Sequence, residues 1–391
     1  MNILFLTHNY PRHEGDFSGV FLRVLARKLQ NEGMNITVLA PHDAGLAEKE
    51  SIDGIEIHRF RYDIDEKENF AYRGDMHRRL LTPGGIFTFR RFLKAYREAG
   101  LKIAQDKKFD LIAAHWAVPS APVANIISKQ TDTPLVISSH GTDIRILRKL
   151  WLARRFCARA LERTRAWTVV SEYLSGLALE CYPNYESKIS VCPAPTDESL
   201  FYREENIPRE NDLIVAVTRF TKQKRVNLLI SAAGILKSSG VDFKLEIYGN
   251  GPEQDKLRAQ IEGLGLADIV SLNAPIPQTQ LRKVYNRAKA TVLNSTGEGF
   301  GLTLVEGALC GSLPIGTRSG GIVDIIDDHK SGLLCDPDSP QSLAIALKLA
   351  LENNDFTDGL ASTATKRAGE RFSSKAIGRT YADVYRKAAG A

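Results

Sequence analysis

Asn294-Ser295-Thr296-Gly297-Glu298-Gly299-Phe300-Gly301-Leu302-Thr303-Leu304-Val305-Glu306 sets two carboxylates eight positions apart, with three glycines around the first. The apolar, β-branched run Ala290-Thr291-Val292-Leu293 leads in, and a helix-forming run, 302–309, leads out. A strand, a glycine-rich turn and a helix start, in that order, present backbone N–H groups to an anion. Glu298 falls in the turn and Glu306 about two helical turns inside, so that both can face one cleft. Carboxylates repel phosphate, which leaves sugar hydroxyls as their better partner beside an anion site.

The rhythm around this stretch extends through the whole chain. Strands are expected at 213–217, 243–248, 269–272, 290–294 and 313–316, and helices at 226–238, 252–263, 278–288, 302–309, 339–352 and 374–388. The first half repeats the pattern, with strands at 2–7, 35–40, 55–60, 110–114, 135–138, 166–170 and 189–192, and helices at 19–31, 87–105 and 144–163. Such alternation predicts an α/β fold with parallel sheets covered by helices on both faces. The polar stretch 197–211 interrupts it and reads as an interdomain linker. A chain of 391 residues suits two domains. The expected division is 1–196, a linker at 197–211, 212–372, and a terminal helix at 373–391. The architecture is then two Rossmann-like, doubly wound domains facing a central cleft, with ligands at the strand C-termini.

Composition excludes several classes. Hydrophobic content of 43% and charged content of 25% are ordinary for a soluble globular protein. The opening Ile3-Leu4-Phe5-Leu6-Thr7 is too short for a signal sequence or a membrane span, and no stretch approaches 18 uninterrupted apolar residues. Five cysteines, odd in number and without Cys-x-x-Cys spacing, fit a reducing cytoplasm better than a disulfide framework or zinc site. Residues 1–196 carry 28 Lys+Arg against 22 Asp+Glu, and residues 197–391 carry 24 of each. The whole excess of +6 lies in the first half, which suggests an anionic partner for that half; nucleic acid is not the partner expected.

Four further loops carry chemistry. Val217-Thr218-Arg219-Phe220-Thr221-Lys222-Gln223-Lys224-Arg225 follows a strand and precedes a helix, and two cations five apart there can clamp a diphosphate. As a simpler alternative it is a solvated basic loop. Tyr248-Gly249-Asn250-Gly251-Pro252-Glu253 allows close backbone approach before a helix start, and lacks the Gly-x-Gly-x-x-Gly of a dehydrogenase. Ser138-Ser139-His140-Gly141-Thr142-Asp143 puts a histidine between a strand end and a glycine, with Asp143 suited to capping the next helix. The loop from His8-Asn9-Tyr10-Pro11-Arg12 to Asp16-Phe17-Ser18-Gly19 enters a helix that Ser18 could N-cap.

Together these motifs resemble the family 4 retaining glycosyltransferases (glycosyltransferase group 1), whose fold is GT-B. The central stretch is similar to that family's Glu-x7-Glu signature. The resemblance implies that Glu298 holds the transferred sugar and Glu306 the nucleotide ribose, with Gly299, Phe300, Gly301, Leu302 and Thr303 in the same donor site. It maps the diphosphate-binding Arg and Lys onto Arg219 and Lys224, and the nucleotide-side turn onto Gly249 and Gly251. His140 corresponds to a histidine near the anomeric carbon, and Gly19 to a loop whose amides approach diphosphate and acceptor. Val169-Val170-Ser171-Glu172, Gly311-Ser312-Leu313-Pro314, Ser319-Gly320-Gly321-Ile322 and Lys330-Ser331-Gly332-Leu333-Leu334 resemble other turns of the family. The helix around 381–385 is similar to one that crosses back to the first domain.

There are departures. Two loop glycines are Thr218 and Arg225 here, a Gly-Gly pair is Ser18-Gly19, and Pro193-Ala194-Pro195-Thr196-Asp197 replaces Pro-Asn-Gly-Val-Asp. The activity so implied is a retaining, metal-independent hexosyltransferase of glycan biosynthesis. It would take a UDP- or GDP-sugar donor and a glycan, lipid-linked or other anionic acceptor, with no cofactor. A nucleotide-sugar epimerase of the same architecture and a non-catalytic binding protein are the alternatives.

Asp63-Ile64-Asp65 and Asp336-Pro337-Asp338, the Asp-x-Asp triplets, read as solvated turns rather than metal ligands. Arg219 and Lys224 can supply the charge neutralisation that a metal otherwise would. Two segments are strongly basic. Residues 145–165 hold eight Lys+Arg against Glu162, interleaved with Leu147, Leu150, Trp151, Leu152, Phe156 and Leu161. Residues 73–97 hold Arg73, Arg78, Arg79, Arg90, Arg91, Lys94 and Arg97 against Asp75. The plainer expectation for 145–165 is a helix with its apolar side in the core; for 73–97 it is an acceptor-side loop. A peripheral location on the inner face of an anionic cytoplasmic membrane is the alternative for this half.

Overall fold

The run around 290 is a strand because it is mostly apolar and β-branched and helices cover both of its faces. Its two polar members are satisfied inside, Lys289 by pairing with Asp358 (2.7 Å) and the Thr291 hydroxyl by donating to the Ser312 hydroxyl (2.9 Å). Every residue of Ala288–Leu293 is buried, as in the central strand of a parallel sheet. The computed structural model describes residues 1–73, 76–79 and 82–390, with the side chains of His77 and Arg78 outside that description. Asp75 and the Arg78 side chain, both counted in the basic segment above, therefore lie outside the described residues. The chain forms two units, residues 1–195 with 374–391, and residues 196–373.

The first unit contains β1 (Asn2–Leu6), β2 (Asn35–Pro41), β3 (Lys49–Ile52), β4 (Ile55–Phe60), β5 (Leu111–His115), β6 (Leu135–Ser139), β7 (Thr164–Val169) and β8 (Ile189–Val191). They lie in the order β3-β4-β2-β1-β5-β6-β7-β8, all parallel except the β3–β4 pair. Phe5, Leu25, Val38, Ala113 and Val136 fill the core on one face. Each such buried Leu, Val or Phe side chain contributes about 1.5–3 kcal/mol. Helix Ser374–Ala389 joins this unit, placing Ile377, Tyr381 and Tyr385 in the same core, and the Tyr381 hydroxyl donates to the Cys192 carbonyl at 3.1 Å.

The second unit contains β9 (Glu210–Val217), β10 (Lys244–Tyr248), β11 (Val270–Asn273), β12 (Ala288–Leu293), β13 (Leu313–Thr317) and β14 (Leu333–Cys335). This sheet is wholly parallel, in the order β11-β10-β9-β12-β13-β14, over a core that includes Ile214, Leu229, Ile247, Val292, Ile315 and Leu347. Strand order reverses between β1 and β5 in the first unit and between β9 and β12 in the second. Loops leaving the C-terminal ends of such neighbouring strands diverge to opposite faces, which opens a ligand crevice at each reversal.

Several elements differ from expectation. The expected linker, 197–211, is grouped with the second unit, and its last two residues already belong to β9. The expected helix over 144–163 is two, Thr142–Lys149 and Trp151–Arg163, parted by an extended Leu150 (φ −116°, ψ 102°). Of 73–97, read as an acceptor-side loop, residues 87–97 lie in the helix expected at 87–105, which starts earlier, at Pro83 (Pro83–Asp106), and Met76–Arg79 is a further helical turn. Strand β3 was not expected. Its turn is Asp53-Gly54, both at positive φ, the hairpin signal that a close reading of dipeptides would have caught.

Candidate functional site

In the second unit the loops after β9, β10, β12 and β13 interlock. Loop 222–225 is laced to loop 294–298: Thr296 N–H donates to the Gln223 carbonyl at 3.1 Å, and Asn294 Nδ2 to the Arg225 carbonyl at 3.1 Å. Across that seam the Lys224 ammonium pairs with the Glu298 carboxylate. On the far side of the motif loop, Gly321 N–H donates to the Glu298 carbonyl at 2.8 Å. Gly320 (φ +64°) approaches so closely that an added Cβ would lie 2.5 Å from that carbonyl oxygen. The motif glutamate is thus held by its backbone from one neighbour and by its charge from the other.

Gly249 and Gly251 lie where loop 218–220 crosses them, with Phe220 N–H donating to the Asn250 carbonyl at 2.7 Å. Their small size is required by this crossing, whatever else binds there. Arg219, on the crossing loop, is exposed, and its side chain has no hydrogen bond or ion pair among the described residues. Arg225, where the resembling family has glycine, sits in the left-handed region (φ 45°, ψ 38°). Ion pairing with Asp338 and a 3.3 Å bond to the Thr296 hydroxyl hold its side chain.

Helix Leu302–Leu309 starts at Gly301 and directs its first N–H groups beside the motif turn, the positive end of the helix dipole. Glu306 is buried in it, accepting from the Tyr285 hydroxyl at 3.0 Å. Burial pushes its carboxyl up to about 7, against the pull of the Tyr285 hydroxyl. Burial, with the Glu306 charge beside it, raises the Tyr285 hydroxyl further still. Phe300 turns away from the motif into the core, edge-on to Phe372 at 5.3 Å. The Thr303 hydroxyl is buried with no hydrogen-bond partner among the described residues.

In the first unit the ends of β1, β5 and β6 gather an aromatic cluster around His140. Its ring lies 4.8 Å from Phe21 and 4.6 Å from Trp116, and Trp116 is 4.8 Å from His8. His140 Nε2 is 3.2 Å from His115 Nδ1, so one ring donates to the other. Burial, reinforced by His115 and His8, holds His140 well below the ordinary imidazole range; burial alone brings His8 to about 4 and His115 to about 3. All three are therefore neutral near pH 7. Asp143, expected to cap the following helix, does not: Gly141 is the N-cap, no side chain makes a cap hydrogen bond, and Asp143 lies in the first turn and ties the preceding loop instead. Its carboxylate accepts from His140 N–H (3.1 Å), Gly141 N–H (3.0 Å) and, across to the turn after β5, Ala117 N–H (2.8 Å). Trp116 stands at φ 59°, an unusual conformation for a bulky residue and one that marks this turn as constrained. Gly19, not Ser18, is the N-cap of helix Val20–Asn31, and its φ of +68° with Asn9 O 2.6 Å from an added Cβ admits no other residue without movement.

Sequence reading assigned no role to His8, Phe21, Trp116, Gln223 or Tyr285. The signals were there for the first three, an aromatic or histidine at a strand end or first helical turn, but their convergence was not. One group among the described residues is spaced to hold a metal ion, His42 with Asp65 and Glu68. Both His42 nitrogens are already engaged, with Glu68 and with the Leu46 carbonyl at 2.7 Å. Asp63 and Asp65, expected as solvated, pair with Arg91 and Arg61.

Two family models match the chain in tandem, Glycosyltransferase Family 4 over residues 18–200 and Glycosyl transferases group 1 over residues 198–367. N-acetyl-alpha-D-glucosaminyl L-malate synthase of Bacillus anthracis is 25% identical over 344 residues, covering 85% of this chain and 89% of the relative. Sucrose-phosphate synthase of Thermosynechococcus elongatus superposes with a TM-score of 0.79 at 18% identity, over 99% of this chain and 98% of that one. HepE of Anabaena, solved with UDP and glucose, gives 0.75 at 20% identity, over 99% and 100%.

Proposed function

We propose, on the premise that the chain belongs to the group 1 glycosyltransferases of family 4 and has their GT-B fold, that it moves a sugar from a nucleotide-diphosphate donor to an acceptor hydroxyl, with retention of configuration and without a metal ion. The observation that carries this reading is the pairing of Lys224 with Glu298 where strand order reverses. It sets a cation suited to a diphosphate oxygen against a carboxylate suited to sugar hydroxyls. In a nucleotide sugar those two parts meet at the bond to be broken.

On this reading Arg219, Lys224 and the first N–H groups of helix Leu302–Leu309 neutralise the departing diphosphate. Glu298 orients the sugar, and Glu306 accepts from the ribose. In the first unit, His140 is assigned a role at the reacting sugar and Gly19 one at the acceptor. The anomeric carbon–oxygen bond breaks towards the diphosphate, the acceptor oxygen bonds to the same face, and its proton passes to the leaving phosphate. The likeness to HepE, solved with UDP-glucose, supports a uridine donor. The Bacillus anthracis relative, whose name joins a glucosaminyl group to malate, supports an anionic acceptor. A glycan or lipid-linked acceptor and a cytoplasmic location complete the proposal.

The test is a thermal-shift panel with UDP, GDP, ADP and CMP, with and without EDTA. A rise selective for one uridine or guanosine nucleotide and insensitive to EDTA is expected, about 2.7 kcal/mol at a hundredfold excess over Kd. It should vanish in Lys224→Ala. No shift with any nucleotide overturns the donor reading, and EDTA sensitivity overturns metal independence.

A further inference from the structure

The two helices that replace the single expected one meet at a corner with unusual chemistry. Leu150 is 52% exposed, Trp151 65%, Leu152 50% and Phe156 60%. The plainer expectation for this segment, apolar residues in the core, holds for Leu147 and Leu161 but fails for these four. Helix Trp151–Arg163 buries Cys157, Ala160 and Leu161, three positions on one face at i, i+3 and i+4. Leu152, Arg155 and Arg159 fall on the opposite face, with Trp151 and Phe156 flanking it. The extended Leu150 then turns the chain so that three successive apolar residues protrude together.

The rim of this tip is cationic. Arg148, Lys149, Arg155 and Arg159 are all exposed. Arg148 pairs with Glu180, whereas Lys149, Arg155 and Arg159 have no acidic partner among the described residues. Glu162 is the single acid between residues 145 and 165.

We propose that this corner is a docking face for an anionic lipid bilayer. An exposed tryptophan, phenylalanine and two leucines suit the boundary between headgroups and acyl chains, and a belt of arginines suits the phosphates above it. Cations held near such a surface are attracted by its negative potential, and the attraction grows with their number. A second copy of the chain is a poorer occupant, because the two cationic rims would repel each other. No helix among the described residues is long and apolar enough to cross a membrane, so the attachment is peripheral. The proposal goes beyond glycosyl transfer and stands without it. One consequence does rest on that reading: helix Thr142–Lys149, about 12 Å long, links the corner to the His140 turn and sets that turn within reach of a lipid-borne acceptor.

Tryptophan fluorescence tests the docking directly. Of three tryptophans, Trp116 and Trp167 are buried, so an emission shift on binding reports Trp151. With equimolar phosphatidylglycerol and phosphatidylcholine vesicles, the full chain should co-sediment and its emission should move to the blue; phosphatidylcholine alone should bind far less. Trp151→Ser combined with Phe156→Ser should weaken sedimentation about tenfold or more. Its circular-dichroism melt and its nucleotide-induced thermal shift should not change. Arg155→Ser with Arg159→Ser should keep the fold and lose the preference for anionic lipid. Equal binding to both vesicles, binding without a blue shift, or undiminished binding by the first variant each overturns the proposal. So does a blue shift produced equally by duplex DNA, or one produced by self-association without lipid. Loss of the nucleotide response in the wild type would instead count against glycosyl transfer alone.

Discussion

The ammonium of Lys224, in the loop after β9, is paired with the carboxylate of Glu298, in the loop after β12, and each side chain is only 16% exposed. Seventy-four residues of sequence separate them. On the proposed reading, removing the carboxylate leaves a largely buried cation with the donor diphosphate as its remaining partner and no group to orient the sugar. Glu298→Ala should lower kcat/KM at least about a hundredfold. Because the pair is largely buried, leaving the Lys224 ammonium uncompensated should also lower the unfolding free energy, by up to about 3 kcal/mol, so turnover is compared at a temperature where the variant is still folded. Near wild-type turnover would remove Glu298 from the mechanism.

Glu306 predicts a dependence on pH. Its folded-state value is raised from 4.5 to about 7, so between these the native state holds more protons than the unfolded one. The contribution to stability is therefore fully present below about 4.5 and is lost as pH rises through 7, a difference of about 3 kcal/mol. Glu306→Gln keeps an acceptor for the Tyr285 hydroxyl without the buried charge. It should melt higher than wild type at pH 8 and similarly at pH 5, while nucleotide affinity falls. Equal melting temperatures at both pH values would show that Glu306 is not desolvated.

The neutral histidines of the first unit act in the opposite sense. His8 and His115 are lowered from 6.5 to about 4 and about 3, so below 6.5 the unfolded chain takes up protons that the native state refuses. Stability is full above 6.5 and falls as pH drops towards those values, by up to about 2 kcal/mol per histidine between pH 6.5 and 5. Urea melts followed by tryptophan emission, all three tryptophans being in this unit, should show the slope. His8→Phe should flatten it, and a slope unchanged in that variant would place the acid sensitivity elsewhere.

Gly320 tests whether the Glu298 backbone must be clamped. An alanine there would press its Cβ to 2.5 Å from Glu298 O and 2.6 Å from Glu298 N, at φ +64°. Gly320→Ala should reduce turnover about tenfold or more. Gly240→Ala is the control: its φ is +73° with nothing within 4 Å, so it should cost about 1 kcal/mol of stability and no activity. Equal turnover in the two variants would show that the clamp is dispensable.

Arg225 carries a side chain where the backbone favours glycine. Arg225→Gly should relieve about 1 kcal/mol of strain and forfeit a similar amount in contacts to Asp338 and Thr296. Stability and turnover should both stay close to wild type. A tenfold loss of turnover would mean that the guanidinium itself serves the donor.

Much of this molecule was legible before any coordinates. Buried parallel strands write themselves as near-continuous apolar and β-branched runs, which is why the expected strand at 290–294 overlaps β12 (Ala288–Leu293), whose start at Ala288-Lys289 the charged residue hid. The motif order strand, glycine turn, helix is equally local, and Glu298 and Glu306 follow from it. Boundaries and breaks were less legible. Leu150 is an ordinary helix former whose extended conformation comes from its surroundings, so a single helix was the natural expectation.

What no stretch of sequence could supply is distance. Lys224 and Glu298 meet because β9 and β12 are neighbours in a parallel sheet, and His8, His115 and His140 meet because the ends of β1, β5 and β6 converge. Burial is decided the same way. Glu306 is buried by its Tyr285 neighbour and the packed helix around it, while Trp151 and Phe156 are left outside because Cys157, Ala160 and Leu161 claim the inward face. Residue type and spacing, being local, declare which side chains are capable of the chemistry. Packing and strand order, being long-range, select which of them stand together and which face outward.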